Sequence, residues 1–76
     1  MDNVNELIEL SVAKAKVEAA MVSLNTLYRS DYFGKREASK FFKAIDSSQH
    51  AIVLIEDRIE MLKRVIDFNH RQGLQQ

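Results

Sequence analysis

The chain reads as all-α: an antiparallel helical hairpin of two long helices that dimerises into a four-helix bundle. Three observations predict this. Ala38, Ile45, Ile52, Ile59 and Ile66 recur every seven residues, and Phe41, Ser48, Ile55, Leu62 and Asn69 run beside them, offset by three. Apolar side chains at such a and d positions stack along one side of a helix and need a second helix to cover them. There is no Pro and there are only two Gly, at 34 and 73, a composition that argues against a turn-rich sheet protein. The one convincing break lies around Ser30–Gly34, so the apolar pattern falls into two long blocks.

The first helix is expected over about 3–29. Asp2, Asn3 and Asn5 are candidate N-caps, since their short side chains accept bonds from free amide N–H groups. Glu6 and Glu9 suit the positive end of the helix dipole. Leu10, Val17 and Leu24 form its main apolar line, widened by Ala13, Ala20, Met21, Leu27 and Tyr28. A second line holds Val4, Ile8, Val12, Ala15, Ala19 and Val22. Polar residues separate the two lines, and a helix with two apolar stripes wants two neighbours.

The turn is expected over about 30–34. Ser30 and Asp31 favour turns and caps, and Gly34 is suited to the left-handed conformation that ends many helices. The second helix is expected over about 35–72. Its weak point is Asp46-Ser47-Ser48-Gln49, a potential capping box. Ile45 and Ile52 keep the same phase across that stretch, however, and a genuine break would reset it. One long helix is favoured, and Ser48 and Asn69 are expected to fix register as polar core residues.

The second helix carries more apolar surface than one neighbour covers. Beyond a and d it adds Ala44, Ala51 and Val65 on one flank and Leu54, Met61 and Phe68 next to them. The apolar arc spans roughly 160° at 100° per residue. Helix one is also the shorter, so Val65, Ile66 and Phe68 are expected to overhang it. Both features predict a homodimer, with Leu54, Met61, Val65 and Phe68 as the interface.

At 76 residues the chain is one domain, 1–76, with a small core. Without Cys it has no disulfide, and His50 and His70 are too few and too far apart for a structural zinc. Association is the remaining route to stability. Eleven acidic and eleven basic residues balance to zero net charge, which argues against a partner chosen by bulk charge. The acidic, polar start lacks the basic region of a secretory signal. The longest apolar run, Ala51–Ile55, is far short of a membrane span. A soluble, cytoplasmic protein without membrane attachment is expected.

No Gly-rich phosphate loop, zinc-protease motif or nucleophile elbow is present. Asp67 and His70 share the i, i+3 spacing of di-iron bundle ligands, but Asp67 lies on the polar arc. Asp46, Ser47 and His50 are near neighbours on one helix, so their side chains diverge, and nothing supplies an oxyanion hole. The expectation is a non-enzyme with no cofactor, no metal and no small-molecule substrate.

The hairpin tip is the one suggestive cluster. Tyr28, Tyr32, Phe33, Phe41 and Phe42 gather there, among Arg29, Lys35, Arg36, Lys40 and Lys43. Phe41, Phe42 and Tyr28 are expected in the core. Tyr32, Phe33, Lys35, Arg36 and Lys40 form the candidate contact for a partner. The expected function is that of a small regulatory or adaptor protein that binds a larger protein, such as a phage- or mobile-element-type inhibitor or an assembly or secretion chaperone. The alternative is a helical dimer that binds RNA or DNA through stacking and phosphate contacts at the tip.

Overall fold

The structure, a computed structural model, describes residues 3–74. Asp2, the first of the candidate N-caps, lies outside them. Two helices pack along their length: α1 (Asn3–Arg29) and α2 (Lys35–Leu74). The second, with 40 residues, runs for about 60 Å at 1.5 Å per residue, and the long axis of the molecule is 64 Å. It passes through Asp46–Gln49 without interruption, as the unbroken phase of Ile45 and Ile52 requires.

The turn takes its shape from Ser30 rather than from glycine. Ser30 ends α1 by donating twice to the Leu27 carbonyl, from its amide at 3.1 Å and from Oγ at 2.6 Å. That hydroxyl then accepts the Tyr32 amide at 3.4 Å. Gly34 does not adopt the left-handed conformation expected of it; no residue described has that geometry. It is the N-cap of α2 instead, its carbonyl accepting the Ala38 amide at 2.9 Å. With Ser30 satisfying the end of α1, no left-handed residue is required. A β-carbon at Gly34 would meet no atom within 4 Å. Gly34→Asp is therefore expected to fold normally and to gain a few tenths of a kcal/mol from a side-chain cap, a rise of about 1–3 °C in a calorimetric melt. A drop of several degrees would show that Gly34 needs its freedom.

The core is a single seam. Ile52 and Leu62 are buried to 4% and 2% exposure, and no other described residue reaches that class. Half-buried side chains extend the seam: Ala38, Phe41, Ile45, Ser48, Ile55, Ile59 and Ile66 from α2, with Leu7, Leu10, Ala13, Val17, Met21, Leu24 and Leu27 from α1. The a and d ladder thus faces α1, and α1 answers with its main line. Ala20, expected on that line, is exposed. A bidentate Arg58–Glu6 ion pair at 2.8 Å ties one flank of the two helices together.

Two expectations about the seam are corrected. Ile66 does not overhang, since it is half-buried and borders a shallow dip shared with Leu7 and His70. The helix α1 reaches that level, so Val65 and Phe68 are exposed because of their position around α2, not its length. Ser48 does not fix register, because its hydroxyl donates to the Ala44 carbonyl of its own helix at 2.8 Å. Asn69, the other polar ladder residue, is exposed.

The result is a rod with a thin core. Its surface is 6215 Å² for 8.8 kDa, where a compact monomer of that mass exposes about 4,800 Å². The radius of gyration is 17.9 Å, against about 11 Å for a compact domain of this length.

Candidate functional site

The hairpin offers three surfaces, and each follows from how side chains are distributed around the helices. The first is the tip. Phe33 turns back onto α2 and packs on Phe41 at a centroid distance of 4.9 Å. Tyr32 stands edge-on to Phe33 at 6.4 Å and is 82% exposed. On the other side of the hairpin Tyr28 and Phe42 lie 6.0 Å apart. Phe41 is half-buried, as its d position requires, but Tyr28 and Phe42 do not join the core, and both are exposed. Phe42 occupies the flank beside the seam, where the chain has no further helix to cover it, and Tyr28 packs against it there.

Lys35, Arg36 and Lys40 are exposed around these rings. Among the described residues, ion pairs join Arg58 to Glu6, Arg64 to Glu60 and Arg71 to Asp67. None involves Arg29, Lys35, Arg36, Lys40 or Lys43, so the tip presents five cations unengaged by carboxylates. A shallow, mainly apolar hollow opens beside them, bordered by Leu24, Phe33, Glu37, Lys40, Phe41 and Ala44. The structure thus brings together four of the predicted tip residues as accessible groups (Tyr32, Lys35, Arg36 and Lys40), with Phe33 as the ring that anchors the turn.

The second surface is a strip along α2. Leu54 is 70% exposed and Phe68 59%, with Met61 and Val65 also exposed between them. All four residues expected at the dimer interface are accessible. The third surface is the back of α1. Val4, Ile8, Val12 and Val22 stay exposed there, so the second apolar line does not face the seam.

No group of three or more His, Cys, Asp or Glu side chains capable of holding a metal ion occurs among the described residues. Asp67 pairs with Arg71 at 3.1 Å instead of approaching His70 as a ligand pair would. No described helix is long and apolar enough to cross a membrane. No protein-family model matches the chain, and neither a curated protein nor a solved structure is significantly similar to it.

Proposed function

We propose that this protein is a small non-enzymatic regulator or adaptor, a homodimeric helical hairpin that acts by binding a larger protein. One observation carries the reading: apolar surface exceeds what two helices hide. Among the described residues only Ile52 and Leu62 are buried, while Leu54, Met61, Val65 and Phe68 stand in one accessible strip. Contiguous exposed apolar surface of this kind marks protein–protein contact. A second hairpin covers the strip and completes a four-helix bundle, and the tips remain free. There Tyr32 serves as an aromatic anchor, with Lys35, Arg36 and Lys40 matching an acidic partner surface.

Affinity purification of the tagged chain from its native cells at native level tests the adaptor reading. Recovery of a stoichiometric protein partner is expected, with loss of that partner on Tyr32→Ala combined with Arg36→Glu. Recovery of the chain alone refutes it.

The unpaired cations favour a second reading, binding of RNA or single-stranded DNA at the tip. Such binding weakens steeply with salt, because each neutralised phosphate releases counterions. If this reading holds, labelled RNA or DNA binds at 50 mM salt, and Lys35→Glu with Arg36→Glu abolishes the binding. A flat titration at 50 mM salt removes it.

A further inference from the structure

We infer that the second copy covers one particular side of this rod, the side bridged by the Arg58–Glu6 bond, and that α1 takes part in the contact through Ala13 and Ala20. This rests on the dimer proposed above and adds what that reading leaves open: which side of the hairpin is covered, and that the contact is not confined to α2.

The Arg58–Glu6 bond, at 2.8 Å, crosses from one helix to the other and so marks a side of the hairpin common to both. Residues seven apart on a helix return to nearly the same flank. On α1 the flank of Glu6 continues through Ala13 and Ala20, and on α2 the flank of Arg58 continues back through Ala51 and Ala44. The helices run in opposite directions, so Ala13 stands level with Ala51, and Ala20 with Ala44. Alanine therefore borders the valley between the helices on both sides; Ala13, Ala44 and Ala51 are half-buried there and Ala20 is exposed. Leu54, Met61 and Val65 lie four before, three after and seven after Arg58, which sets the strip on this same side. Glu6 and Arg58 neutralise each other within it, and Glu9, Lys16 and Ser23 form a polar rim along α1.

The opposite side is built differently. Its flank lines carry Ser11, Glu18 and Asn25 on α1, and Gln49, Glu56 and Lys63 on α2. A groove there is bordered by Lys14, Glu56, Asp57, Ile59, Glu60 and Lys63. Covering it takes several charges out of water, which is costly. Its exposed rings, Tyr28 and Phe42, stand at the tip end and pack on each other.

The occupant of the apolar side is a second copy on grounds of area, angle and closeness. Each chain exposes about 1,400 Å² more than a compact monomer of its mass. That excess, taken over two copies, falls in the range of permanent protein interfaces, about 2,000–5,000 Å² in total. The strip is rotated from the seam by about 100° around α2, at 100° per residue, and helices at the corners of a four-helix bundle meet their two neighbours about 90° apart. Packed helices lie about 8–10 Å apart according to the side chains between them, and alanine on both helices of the hairpin lets a facing pair come to the short end of that range.

The experiment uses the full chain. Sedimentation equilibrium gives the dimer dissociation constant, and circular dichroism checks that each variant is helical. Ala20→Arg is expected to raise the constant tenfold or more, because it sets a long cation in the contact although Ala20 is far from the strip along the rod. Ala19→Arg, on the back of α1, and Ser11→Arg, on the charged side, carry the same side chain and are expected to stay within about twofold of the parent. If Ala20→Arg is as silent as these two while Met61→Asp dissociates the dimer, the contact is confined to α2 and the inference is overturned, though the dimer stands. Dissociation by Ala19→Arg or Ser11→Arg, with Ala20→Arg silent, moves the contact to another side and also overturns it. A parent chain that sediments as a monomer at 100 µM removes the dimer and this inference together, and leaves the apolar side to a different protein.

Discussion

Replacing Leu62 by Asp is expected to abolish the helical fold at 25 °C. Leu62 is the most buried side chain described, at 2% exposure, and Ile52 is the one other buried residue among those described. A carboxylate at this place loses its hydration, and Arg58, four residues before it on α2, is already paired with Glu6. The effective penalty for an unpaired buried ion is several kcal/mol. A chain of this length has about 4–11 kcal/mol in all, and a core of two buried residues sits toward the lower end. Leu62→Ala marks the milder limit, since large-to-small substitution in a core costs about 2–5 kcal/mol. Far-UV circular dichroism against temperature separates the cases. A cooperative melt for Leu62→Asp within a few degrees of the parent would show that the seam is not what holds the hairpin.

Met61→Asp, one residue away, is expected to act through association rather than through the seam. Met61 is 44% exposed and stands near the middle of the strip. Its replacement adds a charge that the hairpin leaves in water but a second copy would bury. A loss of about 3 kcal/mol of association, roughly a hundredfold in the dissociation constant, is the expected scale. The parent should melt at higher temperature as its concentration rises from 1 to 100 µM, because association stabilises the folded form by mass action. The same series for Met61→Asp should be flat. A flat series for the parent would refute the dimer, and an unchanged dissociation constant for Met61→Asp would place the contact elsewhere. The pair of substitutions works because neighbouring residues on a helix point about 100° apart, so one faces α1 and the next faces outward.

Much of the hairpin was legible from residue order. The expected spans of about 3–29 and 35–72 meet Asn3–Arg29 and Lys35–Leu74, because the heptad phase persists through Asp46–Gln49 and fails at Ser30–Gly34. The exposure of Leu54, Met61, Val65 and Phe68 was equally readable, since it depends on angular position around α2. The misjudged details depended on neighbours distant in sequence or on how local bonds were shared. Gly34 caps α2 because Ser30 had already satisfied the end of α1. Phe42 and Tyr28 pair at the surface because only one helix lies beside that flank. Ile66 is covered because the turn brings the start of α1 level with it.

The sequence by itself determined that there are two helices, where they end, and that each carries more than one apolar face. Tertiary structure decided which faces meet. On α1 the Leu10–Val17–Leu24 line and the Ile8–Val12–Val22 line are both apolar enough to be buried, and only the first lies against α2. Periodicity fixes the angle between two stripes on one helix, but the rotation of that helix about its axis is set by the side chains packed against it. Those belong to α2, on the far side of the turn.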